Sequence, residues 1–502
     1  MKDSRTQKAK LNIVTSLSGQ LVTLVCGLLV PRMMLAAFGS EAYGATASIT
    51  QFLAYITLLE GGIGGVARAV LYKPLAQRDM QTIGAIMEEI KRFFRIIAWI
   101  FAAYVLILAC GFRSIARIET MDWITTCVLV VVISISTFGQ YFIGISNSIL
   151  LQAAQKTYIT NVVSIGATVI NAGSTVILIL LNCSLITVKL VSSCIFFMRP
   201  VVLWLYVRKY YPMGKGQGIK ETKYLTQKWT GLGQHIAYFL HSNTDIAVLT
   251  VLADLKTVAV YSVYNMIISQ MQNLAISFVS GMEAVFGDML ARNERKELQE
   301  TFQTYETILS VMAVVLFSTT AVLIVPFVNI YTSGVNDTNY AQPMFAMLLV
   351  STALSYCLRL PYHSMVIAAG HFKQTSAASY GEAMLNIGLS VLLVSKYGLV
   401  GVAAATLGAT WFRFLYYVMY LSRNICYRKI ICFIKRFTVN AVSYSWNCLA
   451  GYFLMSRFDV GNYLFWAVCG AILVVIIFLS TVGFNLIFFP GDCRKVLQKF
   501  LR

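Results

Sequence analysis

A chain of 502 residues that is 58% hydrophobic and only 12% charged is too apolar to be a soluble domain; it reads as an all-α, polytopic membrane protein. A membrane barrel would show short alternating segments instead. The formal charge of +19 could point to nucleic acid, but basic residues collect in the cytoplasmic loops of membrane proteins, so no nucleic-acid partner is expected.

Apolar runs predict helices at 11–36, 44–67, 94–112, 123–143, 158–181, 186–207, 231–253, 258–285, 304–330, 342–365, 375–396, 399–421, 436–456 and 462–488. That is about fourteen spans, each near the length a bilayer needs. The first is interrupted by Ser16, Ser18 and Gln20 and shows no small-residue cleavage site, so it is expected to remain as a helix. Lys and Arg cluster in alternate connections, among them 73–95, 208–228, 292–296 and 423–436. This bias places both termini in the cytoplasm. In 80–93, Ile83, Ile86, Ile90 and Phe93 recur at helical spacing among charges, which predicts a helix lying at the headgroup level. Eleven cysteines, scattered singly, read as packing residues.

Two stretches look like copies. One runs from Ala153-Ala154 through Asn171 to Arg199, the other from Ala368-Ala369 through Asn386 to Arg413, with intervals matching to within one residue. Tyr43 and Tyr261 hold similar places after the first and seventh helices. A parallel repeat follows: a six-helix lobe over 1–230, a second over 231–430, and two appended helices with a tail over 431–502.

Charges inside these spans are costly, about 2.5–3.5 kcal/mol each at the bilayer centre on insertion scales, so they mark candidate sites. Arg32, Arg199, Arg359 and Arg413 are the candidate cations of a substrate cavity, three of them beside Pro31, Pro200 or Pro361. Glu60, Asp245 and Glu382 are candidate coupling sites for H+ or Na+, or else partners that neutralise the arginines. Gly61, Gly62, Gly64 and Gly65 read as close packing or as a thin wall at a gate. No phosphate-binding loop, metal spacing or catalytic constellation stands out, so no enzyme, metal or cofactor is expected.

The chain resembles the polysaccharide-biosynthesis flippases of the multidrug/oligosaccharidyl-lipid/polysaccharide exporter superfamily. The stretches that carry the resemblance are 38–75, LLQAAQKTYI at 150–159, VPFVNIYTSGVNDTNY at 325–340, and 360–413. It implies two six-helix lobes, commonly with two further helices. It also implies translocation of an undecaprenyl-diphosphate-linked oligosaccharide to the outer leaflet by alternating access, for O-antigen, capsule or a related polymer. The setting would be the bacterial inner membrane, with lipids, a polysaccharide polymerase and a chain-length regulator as partners. By the same analogy, Arg32, Arg199, Arg359 and Arg413 would engage the diphosphate or sugar. The alternatives are a drug/cation antiporter of the same superfamily and a membrane polymerase or transferase. Outer loops of about ten residues weigh against the last.

Overall fold

The computed structural model describes residues 5–60, 63–212, 232–279, 281–458 and 460–500. Gly61, Gly62, the 230/231 lobe boundary and the basic residues Lys2, Lys215, Lys220, Lys223, Lys228 and Arg502 lie outside them.

Helices form throughout, and among the described residues there is no strand. In chain order they are α1 (Arg5–Ala54), α2 (Ile63–Gln77), α3 (Met80–Ile115), α4 (Trp123–Gly139), α5 (Ile145–Ala153), α6 (Thr157–Leu180), α7 (Leu185–Tyr210) and α8 (Leu232–Leu252). There follow α9 (Leu255–Ser277), α10 (Met282–Ala291), α11 (Arg295–Tyr331), α12 (Pro343–Ala368), α13 (Phe372–Asn424), α14 (Ile430–Met455), α15 (Tyr463–Phe488) and α16 (Pro490–Phe500). Among the described residues, ten helical stretches are long and apolar enough to cross a membrane. Two of them, Thr6–Glu60 at 55 residues and Phe372–Asn424 at 53, are each long enough for two crossings. Among the described residues the expected spans coincide with helical stretches, except that 44–67, 123–143 and 258–285 each run over more than one element, and the chain is a multi-pass membrane protein.

The long stretches turn at glycines. Gly39 (φ 78) breaks α1 and Gly398 (φ 52) breaks α13, conformations in which a side chain would clash with its own backbone. α13 folds back on itself there. A Cβ on Gly401 would lie 2.4 Å from the Leu393 carbonyl oxygen, and one on Gly381 would lie 2.6 Å from the Phe412 ring. The tight hairpin brings Glu382 and Asn386 of its first arm against Arg413 and Thr406 of its second.

Contacts group the chain into two compact units: Met1–Phe239 with Asp254–Ala259, and Leu240–Ala253 with Val260–Arg502. In the first, α3 supplies much of the core through Ile83, Ile86, Met87, Ile90, Phe94, Phe101 and Phe112, none more than 1% exposed. The helix expected over 80–93 is the first part of α3, and its apolar face is covered by protein while Gln81, Glu88 and Arg92 on the other face are exposed. Asp79 starts it, accepting hydrogen bonds from the Gln81 and Thr82 amides. In the second unit, α14 and α15 pack on α11. α15 buries Cys469, Leu473, Ile477 and Thr481 at every fourth position and leaves Leu464, Ile472, Leu479 and Ile487 exposed, as a helix between protein and lipid does.

The duplication is also present in the backbone. Gln155 (φ 58) follows Ala153-Ala154 and Gly370 (φ 69) follows Ala368-Ala369, each a left-handed residue that ends one helix before the next begins.

Candidate functional site

The second unit holds a buried ionic centre. Arg359 of α12 sets Nη1 2.5 Å from Glu382 Oε1, and Arg413 of α13 sets Nη1 2.6 Å from Glu382 Oε2. Glu382 is fully buried, Arg359 is 4% exposed and Arg413 7%. Arg413 also donates from Nε and Nη2 to the Tyr417 hydroxyl, at 3.1 and 2.8 Å. The His363 ring stacks on Tyr417, and the Arg359 guanidinium lies 5.0 Å from the centre of the Tyr356 ring. Two guanidinium groups on one carboxylate leave a formal surplus of one positive charge.

Asp245 of α8 stands in a different setting. Its carboxylate accepts hydrogen bonds from the Tyr261 hydroxyl at 2.9 Å and from Asn386 Nδ2 at 3.5 Å, and it lies 3.0 Å by each oxygen from Thr406 Oγ1. Among the described residues it forms no ion pair. Thr406 Oγ1 has four oxygens 3.0 Å away: both of Asp245, Asn386 Oδ1 and the Val402 carbonyl. A hydroxyl has one proton to give, so Thr406 can donate to only one of these four oxygens at a time.

The first unit differs in charge. Arg199 of α7 donates from Nη2 to Ser164 Oγ of α6 at 2.6 Å and lies 5.6 Å from the centre of the Phe196 ring. Among the described residues it forms no ion pair. The repeat supplies the reason. Glu382 lies 14 residues after Ala368, and 14 residues after Ala153 stands Ala167. In the same way, Asp245 lies 16 residues before Tyr261, and 16 before Tyr43 stands Gly27. Neither Glu382 nor Asp245 thus has an acidic counterpart at the matching position of the first unit. Glu60 ends a 3-10 turn and accepts a hydrogen bond from the Tyr141 hydroxyl, while Arg68 donates to Gln152 Oε1 at 2.9 Å. Arg32 is half-buried on α1 beside Pro31. Behind Arg199, Pro200 meets the π-helical turn Gln140–Gly144 that joins α4 to α5, where a Cβ on Gly144 would lie 3.0 Å from it.

Of the seven candidates, the structure brings Arg359, Glu382 and Arg413 into one cluster and gives Asp245 neutral partners. It also reveals a group that the spans concealed. Glu306 of α11, 2% exposed, pairs with Arg428 at 2.6 Å and Arg436 at 3.3 Å and accepts from the Tyr362 hydroxyl. The available signal was an acid inside an apolar run, with two arginines reading only as loop charges.

The architecture is that of a multi-pass helical membrane protein with a duplicated bundle and charges held deep within it. No protein-family model matches the chain, and no curated protein is similar to it in sequence. Solved structures are similar. One is a lipid II flippase, MurJ, in an inward-closed conformation, with 13% identity and a TM-score of 0.69, covering 95% of this chain and 99% of that one. Another is an inward-facing multidrug-resistance MATE transporter of the MOP superfamily, with 14% identity and a TM-score of 0.59, covering 82% and 98%. A third is the MATE multidrug transporter DinF-BH, with 15% identity and a TM-score of 0.56, covering 85% and 97%. At these identities the likeness is one of fold: the chain has the fold of the MOP exporter superfamily.

Proposed function

We propose that this protein is a flippase that carries a lipid-linked, anionic saccharide head group across the bacterial inner membrane by alternating access, with both termini in the cytoplasm. The substrate in this reading is an undecaprenyl-diphosphate-linked oligosaccharide for O-antigen, capsule or a related polysaccharide, handed to a polymerase and its chain-length regulator. One observation carries the proposal: Arg199 holds a guanidinium in an apolar helix with a hydroxyl and a ring beside it and, among the described residues, no carboxylate paired with it. A diphosphate is the counter-charge such a group lacks, and the planar guanidinium binds phosphate through paired, charge-assisted hydrogen bonds. Arg32 would assist it. Arg359 and Arg413, already held by Glu382, would contribute their surplus charge. The oxygen-rich cluster around Asp245 would take H+ or Na+ and couple its movement to the cycle.

The test is replacement of the protein in its own cells. Losing charge-assisted hydrogen bonds to the head group should lower surface polysaccharide about tenfold or more in Arg199→Ala, at normal membrane levels. Arg199→Lys should recover only part of it, because a point charge lacks the planar fork. Normal polysaccharide in well-expressed Arg199→Ala refutes the assignment. Asp245, an acid that forms no ion pair among the described residues, favours a second reading as an ion-coupled drug antiporter. Efflux of a cationic dye that is lost in Asp245→Asn and indifferent to Arg199→Ala would decide for that reading.

A further inference from the structure

The ends of α11, α14 and α16 and the α13–α14 link line a cavity of about 390 Å3 that borders the Glu306 group and holds no residue of the sites around Arg199, Glu382 or Asp245. Three cations line it, Arg428, Lys435 and Arg436, against one acid, Asp492. The cations differ in how fully they are engaged. Arg436, with a side chain 3% exposed, is surrounded: Nη1 donates to Thr307 Oγ1 at 2.8 Å, Nη2 pairs with Asp492, and the guanidinium lies 4.6 Å from the centre of the Phe489 ring. Arg428, with a side chain 23% exposed, commits Nη1 to Glu306 and has further N–H groups to offer. Lys435 gives one hydrogen bond to the Phe488 carbonyl at 3.1 Å and has two more protons. Asp492 shows that an anion is accommodated there, since its carboxylate also accepts from Gln303 Nε2 at 2.8 Å.

The surroundings select the kind of anion. Ile431 (64% exposed) and Ile434 (49%) precede Lys435 on α14, and Ile487 (73%) and Phe488 (43%) end α15 where Lys435 reaches it. Apolar side chains this open at the ends of spanning helices face lipid, and Lys and Arg beside them sit at headgroup depth. Cations that line a hollow and are bordered by lipid-facing side chains suit a molecule with a phosphate at one end and acyl chains at the other.

We infer that this cavity is a binding site for the phosphate head group of an anionic lipid, held by Arg428 and Lys435 at the membrane boundary. It is independent of the transport reading, because none of its residues belongs to the sites around Arg199, Glu382 or Asp245. A phosphate on a lipid and a free phosphate share this chemistry, and binding measurements separate them.

The full-length protein in neutral detergent is titrated with dioleoyl phosphatidic acid, dioleoyl phosphatidylcholine and inorganic phosphate, with bound lipid counted by native mass spectrometry. Charge-assisted hydrogen bonds should make phosphatidic acid bind about tenfold more tightly than phosphatidylcholine. Lys435→Gln, at an exposed position that leaves the fold intact, should remove most of that preference, and Arg428→Gln with Lys435→Gln should remove all of it. Lys373→Gln, the same charge change at an exposed site away from the cavity, should leave it unchanged. Displacement of phosphatidic acid by inorganic phosphate would show that the phosphate group alone is recognised; retention would show that the acyl chains are needed. Equal binding of the two lipids, or equal losses in Lys435→Gln and Lys373→Gln, would overturn the assignment.

Discussion

A guanidinium set in an apolar helix has few stable arrangements, and this chain uses two of them. Arg359 and Arg413 share Glu382, whereas Arg199 rests on a single hydroxyl and a ring. Their stabilities should respond differently. Glu382→Gln leaves two buried cations without a counter-charge and should cost about 3–5 kcal/mol. Ser164→Ala removes one hydrogen bond and should cost about 1 kcal/mol. Thermal unfolding of the detergent-purified variants measures both, and a Glu382→Gln protein as stable as the parent would mean that the arginines are neutralised elsewhere. The repeat interval singled out Arg199 and Arg413 in the sequence, but not the identity of their partners. Glu60, Asp245 and Glu382 were equal candidates there, because pairing depends on which arms of a hairpin meet. The turn at Gly398 decides it by laying Glu382 against Arg413.

At the scale of helices, hydropathy located the spans, and local backbone chemistry set their limits. The single helical stretches through Gly39 and Gly398 were invisible as such, because the expected breaks were hydropathy dips rather than one residue with positive φ. The amphipathic run over 80–93 was legible as a helix, but periodicity reports an apolar face and not what covers it; protein covers it here, with Ile83 and Ile86 fully buried. Close approach is equally hidden in a sequence of 33 glycines. A Cβ on Gly44 would lie 1.8 Å from the Leu255 carbonyl oxygen, a backbone atom that cannot swing aside, whereas one on Gly27 meets nothing within 4 Å. Gly44→Ala should therefore force α1 away from the start of α9, with an overpacking cost of about 1–3 kcal/mol or more. Gly27→Ala on the same helix should be neutral or slightly stabilising, by up to about 1 kcal/mol, because alanine favours the helix. The yield and melting temperature of the two purified variants test this, and a Gly44→Ala protein that matches Gly27→Ala would contradict the close packing.

Across the whole molecule, the two copies of the repeat have diverged in charge while keeping their backbone. The left-handed residues Gln155 and Gly370 hold the same place in each copy, and Arg199 and Arg413 follow at nearly equal intervals, but the acids Glu382 and Asp245 have Ala167 and Gly27 as their counterparts. On the proposed reading, that divergence leaves Arg199 to bind an anion, so placing an acid at 167 should abolish the binding. Ala167 lies on α6 one turn after Ser164, the residue Arg199 already reaches, which puts a side chain at 167 on the same face. Ala167→Glu should then pair with Arg199 as Glu382 pairs with Arg413. Transport should fall at least as far as in Arg199→Ala, about tenfold, because the cation is neutralised by the protein itself. Ala167→Gln adds similar bulk without charge and should lose far less. Adding Arg199→Ala to Ala167→Glu should lower thermal stability below that of either single variant, because it strands a buried carboxylate. Equal activity in the Glu and Gln variants would show that Arg199 takes no part in recognising an anion.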